Sequence, residues 1–406
     1  MSEQKNKTVV FFAFPIVMII WYFAFVAFDY VFEFIVMSNL GIQAHEIEQL
    51  RQDSEDKTLI TEARNLGFKS LLFPSLYDSG KWKELALSYH VAPLGPQPIT
   101  MLYGCNEGYG QVRYKSDRFG FRNDDSLWDA KNIDIALVGD SFVHGACVDE
   151  DKTIGGRLTS LGFKVLNLGT GGNSPIHYAA ITKIFAAKIK PSYIIVVFYA
   201  NDNVQDEFSS IYNKLFILNE AKYFKNDCDN GIGQCELSDN LQSIYKESDR
   251  LIVAELDKNG KTEPVAKLID RITYHAKLST IRGALFQLLS RTTKAFAHEE
   301  LPYGSKVAIE TAINLCETAH CVPLLVYIPN SEFWRPDPYS KNYAKLLKQH
   351  AENHGGVFLD MTSPLAPLGL QAYAIKGPHL SPDGYKIVAS EIGQALRVRS
   401  RMLLNE

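Results

Sequence analysis

Positive charge is gathered nowhere in this chain. Lys and Arg number 42 against 46 Asp and Glu, a net charge of -4 over 406 residues. Without a basic stripe there is no electrostatic footprint of a nucleic-acid binder. Cysteine is scarce, six in all. No C-x-x-C occurs and the histidines do not cluster at ligand spacing, so no metal site is expected. No internal repeat or low-complexity tract is present, which leaves neither a repeat array nor a disordered linker to explain. One further absence is local. From Val9 to Phe28 there is no charge of either sign, and after Lys7 no Lys or Arg stands before Arg51.

That uncharged run, "VVFFAFPIVMIIWYFAFVAF", has the length of a bilayer-crossing helix, about 20 residues. It is too long for a signal-peptide core, and no A-x-A cleavage site follows at once. A buried core helix would not be so aromatic and continuous. The run therefore predicts one transmembrane anchor over residues 8–37, partnered by the lipid bilayer. Lys5 and Lys7 precede it, so the positive-inside rule places residues 1–7 in the cytosol and the rest in the periplasm or outside the cell. A single-pass membrane protein with its bulk outside the cytosol is the resulting expectation.

The cysteines suit an oxidising compartment. "CDNGIGQC" (Cys228, Cys235) and "CETAHC" (Cys316, Cys321) are short-spaced pairs. Cys105 and Cys147 are left to each other, or free, since six cysteines allow about 15 connectivities.

Residues 38–125 read as a membrane-proximal segment, with a polar stretch after the anchor, the Pro-rich "VAPLGPQPI" and the turn-rich "GYGQVRYKSDRFGFRND". From residue 126 the pattern becomes regular. "NIDIALV", "FKVLNLG", "YIIVVFY", "VPLLVYI" and "GVFLDM" are continuous apolar strands alternating with helices such as "SPIHYAAITKIFAAKIK". Ser174 is placed there as N-cap and Pro175 at the first helical position. Continuous rather than alternating strands predict a parallel sheet covered on both faces. Residues 203–302 break the rhythm and form an insertion near the strand ends, with a hairpin turn expected at Lys258-Asn259-Gly260.

Three strands end in unusual loops: Gly139-Asp140-Ser141-Phe142, "NLGTGGNSP" and "YANDN". A fourth element, "GPHLSPDGY", lies near the C-terminus. In an α/β sheet such loops converge at the carboxyl edge. The chemistry they permit is acyl transfer. A serine hydroxyl needs a base, and His379 is the base the topology offers to Ser141. The oxyanion needs donors, which the Ser141 and Gly172 backbone N–H groups and the Asn201 amide supply. Asp140, His144, Asn173, Asp202 and Arg122 are candidate substrate contacts. All but Asn173 have a structural alternative: Asp140 and Asp202 as loop braces, His144 as loop packing or a pocket wall, Arg122 as a tie between the upstream segment and the domain.

These four blocks, in this order, resemble the SGNH hydrolase (GDSL esterase) superfamily. The resemblance covers residues 126–406 apart from the insertion, and "YKSDRFGFRND" is similar to a segment that precedes this domain in bacterial surface members. It implies a three-layer α/β/α domain with a five-stranded, flavodoxin-like parallel sheet, and roles for Ser141, Gly172, Asn201 and His379. Two positions depart from the pattern. Tyr199 replaces the Gly of G-x-N-D, and Lys376 stands where D-x-x-H has its Asp. The acid that orients the imidazole is thus missing from its usual place. Asp360 and Asp383 are the candidate substitutes, beside a Ser–His dyad.

The reading is a serine-dependent acyl-ester hydrolase or O-acetyltransferase. Its expected substrate is an acylated cell-surface glycan or other ester, and for a transferase a membrane acyl-donor partner is implied. It requires no cofactor. The alternatives are a lipid esterase or thioesterase and a non-catalytic glycan-binding or assembly protein on a degenerate scaffold.

Overall fold

The computed structural model describes residues 18, 20–29, 31, 61, 63–70, 73–78, 80–203, 222–226, 228, 231–259, 300–330 and 339–403. The chain forms two compact units, Met1–Ser54 with Val253–Phe296, and Glu55–Ile252 with Ala297–Glu406. In the first, residues 20–29 are helical, and Ile20, Trp21, Phe23 and Phe28 are exposed. Most of the apolar run at 8–37 lies outside the described residues, and among the described residues no helix is long and apolar enough to cross a membrane.

The second unit is built on strands β4 (Ile135–Val138), β5 (Val165–Asn167), β6 (Tyr193–Tyr199), β7 (Val322–Ile328) and β8 (Val357–Asp360). They form one five-stranded sheet in the order β5-β4-β6-β7-β8, every pair parallel. Counted from its first strand this is the flavodoxin-like order 2-1-3-4-5. All of β4 and β6 is buried, which is why those strands are apolar at every position. Right-handed crossovers put α3 (Ile154–Ser160) on one face and α4 (Pro175–Ile181) and α6 (Tyr303–Ala319) on the other. The packing agrees, with α4 against α6 and α3 against α8 (Pro382–Leu403). Ser174 caps α4 and Pro175 opens it. The topological switch point falls at β4, whose neighbours are reached in opposite directions.

The polar stretch after the expected anchor lies outside the described residues; those described between 63 and 125 pack into the second unit. They include helix α1 (Gly80–Tyr89) and a small sheet of β1 (Lys69–Ser70), β2 (Met101–Tyr103) and β3 (Arg113–Lys115). The "KSDRFGFRND" stretch explains the attachment. Asp117 is fully buried and accepts from Phe119 N, Phe121 N, Asn123 Nδ2 and Trp128 Nε1 at 2.8–2.9 Å. Four donors offset the cost of burying a carboxylate, though burial still pushes its pKa up to about 6. Asn123 also pairs with both backbone groups of Asn167 on edge strand β5. Phe119, Phe121 and Trp128 pack with Phe185 in edge-on and tilted contacts, each such ring burying about 150–250 Å².

The expected hairpin at Lys258-Asn259 is instead the end of helix α5 (Asp239–Asn259). Its buried residues Leu241, Ile244, Tyr245 and Ser248 recur at helical spacing. The face packs on the N-terminal segment: Tyr245 Oη donates to Gly95 O, and Tyr77 Oη bonds Ser248 Oγ. The central part of the expected insertion lies outside the described residues.

Candidate active site

Beyond β4 the chain turns at Gly139 and enters a four-residue helix, α2 (Ser141–His144). Asp140 caps it, its Oδ1 accepting from Phe142 N at 2.9 Å. Burial pushes the Asp140 pKa up to about 6. The turn presents Ser141 at the carboxyl edge of the sheet. The next loop, after β5, leans on this one, Thr170 N reaching Gly139 O at 3.4 Å. Gly172 there has a left-handed φ of 71°. A Cβ on it would stand 2.4 Å from Ser75 Oγ, so the N-terminal segment covers this loop closely.

His379 lies in the loop before α8. Its Nε2 is 2.8 Å from Ser141 Oγ, and its Nδ1 is 2.7 Å from Glu107 Oε1. A carboxylate only accepts, so Nδ1 carries the proton and Nε2 accepts from the serine hydroxyl. The His379 backbone N–H also donates to Glu107 Oε2 at 3.3 Å. Glu107 is 3 % exposed. The carboxylate fits because residue 377 is glycine, where a Cβ would lie 1.9 Å from Oε1. Burial pulls the His379 pKa down, but the charge and hydrogen bond of Glu107 and the charge of Asp140 outweigh it, for a net rise.

The carboxylate that faces the ring thus comes from the turn between β2 and β3, where the sequence reading placed no candidate. Neither expected substitute reaches the ring. Asp360 ends β8 with its Oδ1 accepting from Thr362 N at 2.8 Å and is exposed. Asp383 is exposed in the first turn of α8. One clue to Glu107 was available. Cys105 pairs with Cys147, and those cysteines flank Glu107 and Ser141. Cys228–Cys235 and Cys316–Cys321 are the other two bridges.

Several candidate substrate contacts turn out to be braces. His144 is buried and its Nε2 is 2.7 Å from Tyr114 Oη. Burial, then the charges of Arg122 and His379, push its pKa down to about 3, leaving it neutral. Arg122 is buried, donating to Gly145 O and Val148 O at 2.9 and 3.0 Å with Glu150 2.6 Å from its Nε. It holds the loop after the nucleophile and binds the N-terminal segment to it. Asp202 is buried, both its oxygens sharing the Tyr178 hydroxyl at 3.0 and 3.1 Å, and Oδ2 also accepting from Tyr199 N. Burial, then the charge of Asp140, raises its pKa well above the carboxylate range. Tyr199, at the departed glycine position, stacks on Phe142 with ring centroids 4.0 Å apart. Asn201, in the turn after β6, and Asn173, in the loop after β5, differ from these. Among the described residues the Asn201 Oδ1 and both amide atoms of Asn173 are buried without hydrogen-bond partners.

No protein-family model and no curated protein matches the chain. Solved structures do. The lipase/acylhydrolase from Enterococcus faecalis is 14 % identical over 66 % of this chain and 96 % of its own, with a TM-score of 0.36. A GDSL-like lipase from Bacteroides thetaiotaomicron is 9 % identical over 65 % and 88 %, with a TM-score of 0.31. A catalytic mutant of an acetylxylan esterase from Geobacillus stearothermophilus is 14 % identical over 64 % and 91 %, also at 0.31. Likeness at this level assigns no reaction, which has to be read from the site.

Proposed function

We propose that the chain is a serine ester hydrolase of the SGNH type, working through Ser141, His379 and Glu107. The relay of 2.8 and 2.7 Å bonds from serine to imidazole to buried carboxylate carries this reading. Ser141 Oγ attacks the ester carbonyl as its proton passes to His379 Nε2. Glu107 keeps Nδ1 protonated and stabilises the imidazolium that forms. The backbone N–H groups of Ser141 and Gly172 and the Asn201 amide receive the oxyanion. His379 then protonates the leaving alcohol, and a water or a second alcohol repeats the sequence on the acyl-enzyme. Glu107 also removes the chief reason for a degenerate, non-catalytic scaffold, the lost acid at Lys376.

The substrate class we infer is an O-acetyl ester on a cell-surface glycan. The bilayer anchor at 8–37, cytosolic residues 1–7 and an extracytoplasmic catalytic unit belong to the same reading. It draws on the uncharged run Val9–Phe28 and on six cysteines all paired in bridges, the habit of exported proteins. Hydrolase and acetyltransferase share every step up to the acyl-enzyme.

The test is labelling by a fluorophosphonate probe beside Ser141→Ala and His379→Ala. Labelling of wild type that both substitutions abolish is expected. Labelling that survives Ser141→Ala sinks the reading. Protease added from the periplasmic side should cut the catalytic unit in sealed cells, and protection from that side would overturn the topology.

A further inference from the structure

The acid of the relay sits on an insecure support. Between Gly104 and Gly110 the β2–β3 turn buries only Glu107. Asn106 Oδ1 accepts from Gly108 N and Gly110 N, which shapes the turn without attaching it to anything. Across to the catalytic loop the turn has one main-chain bond, Lys376 N to Glu107 O, a hydrogen bond of Tyr109 to the Ile375 backbone, and the Glu107 carboxylate itself. A turn whose apolar anchor is one half-buried ring, Tyr109 against the core, opens more easily than a buried strand. Its covalent attachment is Cys105, two residues before Glu107, bonded to Cys147, six residues after Ser141. Cys147 has a left-handed φ of 63°, a conformation that a non-glycine residue keeps only where its surroundings impose it. Its Sγ lies 3.8 Å from His379 Nδ1. Glu107, Cys147 and His379 each place a ligand atom within 4.8 Å of the others.

We propose that the Cys105–Cys147 disulfide is a redox lock on the triad: closed, it presents Glu107 to His379; opened, it frees Cys147 to join Glu107 and His379 as ligands of a soft divalent cation that disables the base. This rests on the hydrolase reading above. Opening takes two electrons and two protons from a dithiol reductant. The S–S bond breaks, two S–H bonds form, and the dithiol closes its own disulfide. A zinc ion then displaces the Cys147 thiol proton to solvent and binds thiolate, carboxylate and Nδ1. With zinc on Nδ1 the ring proton moves to Nε2, which can no longer accept from Ser141. The enzyme is active where disulfides form and silent where thiols and zinc prevail.

Cys105→Ala and Cys147→Ala lose the disulfide alike, yet only the first keeps the sulfur beside His379. With an aryl acetate substrate both should lose kcat by at least about tenfold with KM nearly unchanged, as expected for a displaced catalytic group rather than a damaged pocket. Micromolar zinc chloride should then abolish the residual rate of Cys105→Ala, reversibly by chelator, and spare Cys147→Ala. Zinc calorimetry should show one more site in Cys105→Ala than in Cys147→Ala; any zinc held by Glu310, His350 and His354, common to both, cancels. Wild-type kcat in both variants, or equal zinc binding in the two, overturns the lock. If Cys105→Ala does not fold, wild type reduced with dithiothreitol and desalted without air takes its place. Ser141→Ala in the oxidised protein separates the readings. Undiminished turnover there sinks the hydrolase, while calorimetry, which needs no turnover, still decides the lock.

Discussion

Two regions meet at the His379 ring and hold it in different ways. On the Nε2 side stand the strand-end loops. Ser141 follows a wholly buried strand and opens a helical turn capped by Asp140, so main-chain geometry alone brings its hydroxyl to the sheet edge. On the Nδ1 side stands the N-terminal segment. Glu107 arrives on a Gly-rich turn, tethered by a disulfide and admitted by the missing side chain of Gly377. The serine is placed by the sheet, and the carboxylate is placed by docking. A core that places its serine by the sheet can thus draw its carboxylate from a docked segment. Arg122, Asn123 and Asp117 are the polar groups that make the docking specific.

The comparison breaks outright if the relay is not catalytic. Ser141→Ala and His379→Ala should each cost about 10⁶-fold in kcat, measured with an aryl acetate. Next comes the docked side. Glu107→Gln should cost about 10⁴-fold, because the wrong imidazole tautomer is then favoured. It should also move the pH profile. His379 must be neutral to act, and Glu107 and Asp140 hold its pKa above the ordinary value despite burial. The wild-type rate should therefore rise with pH through a pKa above that value. In Glu107→Gln the same limb should appear at lower pH, and an unmoved limb would mean that Glu107 does not act through the ring.

Gly377→Ala should be milder, about 10²-fold, since its methyl group displaces the Glu107 carboxylate without removing it. A crystal structure showing the 2.7 Å bond intact in that variant would contradict the account. Asp117→Asn tests the docking rather than the chemistry. Facing four donors with one acceptor oxygen, it should lower stability by about 1–3 kcal/mol in denaturant unfolding. Smallest of all is Asp360→Asn, for which kcat should change by less than about twofold; a loss as large as that of Glu107→Gln would return Asp360 to the relay.

Much of the strand-end side was legible. Apolar runs marked the five strands, Ser174-Pro175 marked the start of α4, and small polar residues after three strands marked the loops. Those signals are local, each written within one turn or one strand. The α5 helix was misread because Lys-Asn-Gly outweighed the 3–4 spacing of Leu241, Ile244, Tyr245 and Ser248. For His144, Asp202 and Arg122 the sequence left a substrate contact and a structural brace both open. Their buried partners, Tyr114, Tyr178 and the carbonyls after α2, lie 23–30 residues away.

By itself the sequence determined the order of strands and helices, the place of Ser141 and His379 at one edge of the sheet, and an uncharged run long enough for a bilayer. Periodicity and turn chemistry act over a few residues, so they can be read in one dimension. The identity of the acid was decided only in the tertiary structure. Glu107 and His379 stand 272 residues apart, and what joins them is a disulfide, the donors gathered on the Asp117 carboxylate and the space left by Gly377. Whether a buried carboxylate faces an imidazole depends on how two surfaces pack, and no short stretch of chain records that.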